Sequence, residues 1–192
     1  LDLLQRKSDR SEDDKKAFAR MRRTVEDMEG LIETLLLLAR GEEVERIHEI
    51  RCLNDLVPGF VEQLAPMAAD RGLDLSIDEQ AQLWVKAPSR VIQIILTNLL
   101  RNAINYTQQG SIVVRISKNA VSVIDTGIGM SPDELQHAFE PFYRGERSRA
   151  TSMGHGLGLS IVRRLVHQFD WPIHVQSNVG KGTEVTIEFF DA

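Results

Sequence analysis

Ala120-Val121-Ser122-Val123-Ile124-Asp125-Thr126-Gly127-Ile128-Gly129-Met130 is the stretch on which the fold turns. Its first five residues are small, β-branched or aliphatic and read as a strand. The strand stops at a carboxylate, and glycines follow at Gly127 and Gly129. Glycine tolerates φ > 0 and lets backbone approach a ligand closely, so such a strand end can present one acceptor to a bound molecule. An ordinary turn would look the same, because Asp and Gly are frequent turn formers. What flanks the stretch decides between the two.

Upstream, Ser111 to Ser117 reads as a second strand, joined through a tight turn at Lys118-Asn119. Before it, Pro88 suits the first turn of a helix that runs to about Asn105. That helix is apolar on most sides, yet Asn98 and Asn102 share one face of it. Two amides on a buried face cost free energy unless partnered. They either bond locally to backbone or hold a metal through a side-chain oxygen. Mg²⁺ takes hard oxygen ligands, typically one or two from protein and the rest from phosphates and water.

Downstream, Ser131-Pro132-Asp133-Glu134 starts a helix, with Ser131 as cap, Pro132 at the first position and Glu134 closing a capping box. Phe139 and Phe142 then precede a polar, basic stretch from Arg144 to Met153, which reads as a mobile loop. Arg144 can reach a phosphate from there. Gly154-His155-Gly156-Leu157-Gly158-Leu159 leads into a helix over about 157–169. Alternating glycines at a helix N-terminus free N–H groups for an anion, and the helix dipole adds to this. The spacing is neither the dinucleotide pattern nor the P-loop, so a phosphate cradle and a flexible hinge both remain open. Pro172 to Gln176 and Glu184 to Phe190 read as closing strands.

Farther out, Ile50 to Leu53 reads as a short strand, and Asn54 as the cap of a helix to about Ala69. Leu73 to Ile77 and Leu83 to Lys86 read as two strands of a hairpin or ribbon. A composition shift near residue 45 separates all this from the N-terminal part. There Ser11 can cap a helix whose apolar residues, Phe18, Met21, Val25, Met28, Ile32, Leu35 and Ala39, form a heptad seam. Leu31, Leu36 and Leu38 widen the seam towards a multi-helix bundle. Leu1-Asp2-Leu3-Leu4 reads as the tail of a preceding helix, so an excised fragment is expected.

The 192 residues are 42% hydrophobic and 27% charged, with a net charge of -5, a balance that argues against a nucleic-acid footprint. The single cysteine, Cys52, allows no internal disulfide, fits a reducing compartment and reads as buried filler. No apolar run approaches the roughly 20 residues that span a bilayer. His137, His167 and His174 have no Cys or acid at metal spacing and read as ordinary residues.

Taken together and in order, these stretches resemble the sensor histidine kinases. Asn98-Leu99-Leu100-Arg101-Asn102-Ala103 is similar to their N box, and Asp125 to Gly129 to their first glycine box. Phe139 to Phe142 resembles the F box, Gly154 to Leu159 the second glycine box, and Gly180-Lys181-Gly182-Thr183 the closing Gly-x-Gly-Thr. The resemblance implies an α+β two-layer sandwich, with helices on a mixed, mostly antiparallel sheet. Residues 1–45 would be the C-terminal part of the dimerisation and phosphotransfer hairpin, and residues 46–192 the catalytic ATP-binding domain.

It implies ATP and Mg²⁺ as cofactors, with Asn102 on Mg²⁺ and Asn98 beside it near the phosphates. Asp125 would accept from the adenine amine, and Thr183 would support the same edge of the base. Tyr106 would lie against adenine or ribose. Gly127 and Gly129 would shape the pocket, while Gly154, Gly156 and Gly158, with Leu157 and Leu159, would wrap the triphosphate. Asn105 stands where the family often has a phosphate-directed lysine, so that charge is lost or supplied by Arg144 or Lys181. His155 stands at a position that is often glycine.

The implied partners are ATP or ADP, a response regulator receiver domain and a second copy through the hairpin. The implied setting is the cytoplasmic side of a bacterial inner membrane. His48-Glu49-Ile50-Arg51 mimics the phosphoacceptor box, but it follows the second helix, and Cys52-Leu53 replaces Thr-Pro. Two other readings compete: a related ATPase that couples hydrolysis to conformational change, and a non-catalytic dimerisation module. The F box and heptad seam count against the ATPase, and Gln93 to Thr97 holds no water-activating glutamate.

Overall fold

The computed structural model describes residues 50–145 and 156–190, together with Asp14, Ala17, Phe18, Met21 and Val25. The chain divides into two compact units, Leu1–Gly41 and Glu42–Ala192. In the first unit the five described residues are helical, with Met21 and Val25 exposed. The rest of the heptad seam, the preceding helix tail, His48 and most of the basic loop lie outside the described residues.

The second unit runs β1 (Ile50–Cys52), α1 (Leu53–Ala69), β2 (Asp74–Glu79), β3 (Trp84–Lys86), α2 (Ser89–Tyr106), β4 (Ser111–Ile116), β5 (Ala120–Asp125), α3 (Pro132–His137), α4 (Gly158–Gln168), β6 (Ile173–Asn178) and β7 (Gly182–Glu188). A five-stranded sheet has the order β2-β4-β5-β7-β6. β2 pairs parallel with β4, and the other neighbours are antiparallel. The fold is the expected α+β layering, with a mixed, mostly antiparallel sheet packed on helices.

Alternation builds the two faces. Ile112, Val114 and Ile116 of β4, Val121 and Val123 of β5, and Val185 and Ile187 of β7 are buried towards the helices. The other face is mostly polar, with Val113 opposite Ile124 on it, and is cross-linked by Arg115 to Asp78 at 2.8 Å, Ser122 to Thr186 at 2.7 Å and His174 to Glu188 at 3.4 Å. One buried and one solvated face is the usual state of such a sheet.

The expected hairpin of residues 73–77 with 83–86 does not form. β2 joins the large sheet, and β3 pairs with β1 in a separate two-stranded ribbon. α2 carries the chain from β3 across to β4, which lies beside β2 with Leu75 opposite Ile112 and Ile77 opposite Val114. That extends the apolar face, whereas Leu83 and Val85 are buried separately, next to the start of α1.

Asn54 is not a cap either. Cys52 occupies the N-cap position of α1 and is buried, as a filler residue should be. Asn54 sits inside the helix. Its Nδ2 donates to Ala81 O at 3.2 Å and Glu79 Oε2 at 2.7 Å, and its Oδ1 accepts from Leu83 N at 3.1 Å, fastening α1 to the β2–β3 connection.

α2 is the central helix, with nine buried apolar residues between Val91 and Ile104. Pro88 takes its N-cap, one position before the expected first turn. At the other end Arg71 Nη1 donates to Ile104 O at 2.7 Å and Asn105 O at 3.1 Å. A cation on the last carbonyls of a helix contributes on the order of 1 kcal/mol or less at an exposed site. The capping box of α3 forms as read: Glu134 N donates to Ser131 Oγ at 3.2 Å, and Ser131 N donates to Glu134 Oε2 at 2.9 Å. No described helix is long and apolar enough to cross a membrane.

Candidate functional site

A cleft opens between α2 and the C-terminal end of β5. It is floored by Leu99, Ala103, Val123 and Val185 and carries a few polar side chains, the usual composition of a small-molecule site. Of the residues expected to bind, Asn102, Tyr106, Asp125, Gly129, Arg144, Leu159 and Thr183 line it.

Asp125 ends β5, in register with Thr183 on β7. Its Oδ1 accepts from Gly127 N at 2.8 Å and Thr183 N at 3.2 Å. Burial pushes its carboxyl above the ordinary range, although those two N–H groups pull the other way. Oδ2 has no protein partner among the described residues, so it is the oxygen left for a ligand.

The glycines are where the backbone needs them. Gly129 has φ 62°, and a Cβ there would run into Asn178 O. Gly182 has φ 94°, and a Cβ there would run into Asp125 O. Gly127 lies against the end of α2, where Ile128 N donates to Tyr106 O at 3.1 Å. Gly180 N reaches Ile128 O at 2.8 Å, so the loop after β5 is wedged between α2 and the β6–β7 turn.

The two amides of α2 behave differently. Asn98 Nδ2 donates to Ile94 O at 2.7 Å, one of the local backbone bonds open to a buried amide. Its Oδ1 points to the start of α4, 3.1 Å from where a Gly158 Cβ would stand. Asn102 presents its amide to the same point, at 3.4 Å, and makes no hydrogen bond among the described residues. A Cβ at position 158 would crowd Asn98 Oδ1 and stand in ordinary contact with the Asn102 amide, so both amides face the start of α4.

A lone neutral amide oxygen suits Mg²⁺ only when phosphates and water supply the other ligands. Among the described residues no cluster of three or more His, Cys, Asp or Glu exists that could cage a metal by itself. The donor set therefore fits an ion that arrives with a polyphosphate.

Arg144, not Lys181, lines the cleft; Lys181 is exposed in the β6–β7 turn. Asn105 is half-buried and outside the lining, its carbonyl engaged by Arg71. Gly156 has φ 72°, and its carbonyl accepts from Phe142 N at 2.9 Å, joining the F box to the start of α4. Leu157 takes the N-cap of α4, and Leu159 faces the cleft. Gly154 and His155 lie outside the described residues.

Other polar residues in or beside the cleft were not expected there. Glu134 and Tyr143 line it. Ser177 stands behind Thr183, its Oγ 2.8 Å from Thr183 Oγ1. Glu134 signalled only its capping role, and Ser177 gave no signal.

A family profile described as histidine kinase-, DNA gyrase B-, and HSP90-like ATPase matches residues 87–192. The sensor histidine kinase RppB of Synechocystis sp. is 35% identical over 167 residues, covering 82% of this chain and 37% of that protein. The sensor histidine kinase YvrG of Bacillus subtilis is 32% identical over 178 residues, covering 88% of this chain and 30% of that protein. The chain therefore spans about a third of the length of these relatives. Among solved structures, full-length ShkA in complex with AMPPNP superimposes with a TM-score of 0.70 at 23% identity, covering 96% of this chain and 41% of that one.

Proposed function

This chain belongs to the histidine kinase-, DNA gyrase B-, and HSP90-like ATPase family, and on that premise we propose that residues 46–192 are the ATP-binding catalytic part of a sensor histidine kinase. Residues 1–45 would be the end of its dimerisation and phosphotransfer hairpin. In the whole protein the γ-phosphoryl of ATP would pass to a histidine nitrogen and then to an aspartate of a response regulator. The observation that carries the reading is one cleft lined by both Asp125, whose Oδ2 has no partner among the described residues, and Asn102, whose amide has none among them either.

Asp125 Oδ2 accepts from the adenine amine, and Tyr106 packs against the base or ribose. Asn102, with Asn98 beside it, faces the phosphates near the start of α4. Arg144 replaces the positive charge that Asn105 lacks. Mg²⁺ held by Asn102 and the phosphates would offset negative charge on the transferring group. Phosphoryl transfer needs little from a protein beyond positioning and charge stabilisation, and these residues offer both.

The 192-residue chain is expected to bind MgATP and yet take no phosphoryl label on its own. Its histidines are His48, His137, His155, His167 and His174, and none lies before the heptad helix, where the resemblance puts the acceptor. Incubation with γ-labelled ATP should leave no acid-labile, base-stable label. Label on His48 would overturn this account of the acceptor. Absence of any thermal shift with MgATP or MgADP would instead favour the non-catalytic module.

A further inference from the structure

We infer that Ser177 is a positioning residue that fixes Thr183 as a hydrogen-bond acceptor, so that the base end of the cleft selects a purine carrying an exocyclic amine at C6. The inference rests on the nucleotide reading above and adds a residue to it.

Asp125, Thr183 and Ser177 form one row across three strands. Asp125 is in register with Thr183, and Thr183 with Ser177. Residues in register point to the same face of a sheet, with Cβ atoms roughly 5 Å apart. Met130, from the loop after β5, closes over this row: its N–H donates to Ser177 Oγ at 2.8 Å. Ser177 Oγ is also 2.8 Å from Thr183 Oγ1 and 3.2 Å from Gly182 O.

A serine hydroxyl has one hydrogen and two lone pairs. Met130 N–H uses one lone pair, and Gly182 O can only accept. All three contacts are hydrogen bonds at once in a single arrangement: Ser177 accepts from Met130 N and from the Thr183 hydroxyl, and donates to Gly182 O. The hydrogen of Thr183 is then committed to Ser177. What Thr183 turns to the cleft it lines is a lone pair.

Asp125 offers a second acceptor beside it. Its Oδ1 is occupied by Gly127 N and Thr183 N, and Oδ2 remains. Two adjacent acceptors match the two hydrogens of an amino group, directly or through one water. They oppose a carbonyl at the same position. Ser177 touches no ligand in this account; it acts by deciding which way the Thr183 hydroxyl points.

The test compares ATP with inosine triphosphate, which carries a carbonyl at C6, by titration calorimetry. The native chain should prefer ATP by about tenfold or more. Ser177→Ala releases the Thr183 hydrogen, which can then donate to a carbonyl. ATP should weaken by about fivefold while inosine triphosphate holds or tightens. Thr183→Val removes the acceptor altogether, so it too should weaken ATP and spare inosine triphosphate; this variant gives the same reading should Ser177→Ala not fold. Equal weakening of both nucleotides by Ser177→Ala would assign Ser177 a purely structural role and overturn the inference. So would Thr183→Val weakening inosine triphosphate as much as ATP. A native chain that binds neither nucleotide would sink the nucleotide reading itself.

Discussion

Replacing Asp125 with asparagine is expected to weaken ATP binding by roughly tenfold to several-hundredfold while the domain stays folded. The asparagine oxygen can keep the hydrogen bonds from Gly127 N and Thr183 N that Oδ1 now accepts. Its amide nitrogen then faces the cleft as a donor where an acceptor stood. On the proposed reading adenine presents its own amine there, so two donors would oppose each other. A base with a carbonyl at that position should gain instead, so the expected preference for ATP over inosine triphosphate should shrink or invert. Calorimetry giving unchanged ATP affinity for the variant would refute the role of Asp125.

The same change should make the empty domain more stable near neutral pH. Burial raises the Asp125 pKa in the folded state above the ordinary 3.8. A carboxyl raised in this way contributes stability below pH 3.8, and that contribution is lost as pH rises through the higher folded value. The melting temperature of Asp125→Asn should therefore exceed that of the native chain at neutral pH. The gap should close as pH falls towards 3.8. Binding and stability would then pull in opposite directions at one residue, as they often do at functional sites.

Gly182→Ala is expected to cost about 3–5 kcal/mol, a large fraction of a domain's stability. At φ 94° the alanine is strained, and its Cβ runs into the backbone at the end of β5: Asp125 O, Asp125 C at 2.7 Å and Thr126 Cα at 2.9 Å. Backbone of a paired strand cannot step aside as a flexible side chain can. Gly180→Ala is the matched control. It has φ 75° but nothing within 4 Å of its Cβ, so only the conformational penalty of about 1–2 kcal/mol applies. Urea unfolding of the two variants separates strain from collision. Equal losses would show that the close approach of β7 to Asp125 contributes nothing.

Local rules were legible in the sequence, and pairings between distant segments were not. The capping box at Ser131 and Glu134 was readable to the atom, because both partners lie within one turn of helix. The β4–β5 hairpin was readable from Lys118-Asn119 for the same reason. The supposed hairpin of residues 73–77 and 83–86 failed because adjacency in sequence favours pairing, and only the crossover through α2 places β2 beside β4. Asn54 looked like a cap because asparagine so often is one; its partners Ala81 and Leu83 are invisible until the ribbon folds back. Within the cleft, Asp125, Asn102 and Thr183 were found through their motifs. Ser177 was missed because its hydroxyl matters only once β5, β7 and β6 lie side by side.

Asp125 and Thr183 are 58 residues apart, and β5–β7 bridges more sequence than any other strand pairing among the described residues. Closing so long a stretch is entropically late work, and contacts of this kind slow folding. The purine end of the cleft should thus be among the last parts to assemble and the first to come apart. A nucleotide gripping both residues stabilises the assembled state and not the transition state before β7 docks. Its effect should appear almost wholly as slower unfolding, with the refolding rate unchanged. Stopped-flow refolding that accelerates with MgATP would place β7 docking early instead. On this view an occupied domain gains its persistence from a longer native lifetime, so a cell's nucleotide level would set how long each copy survives between openings.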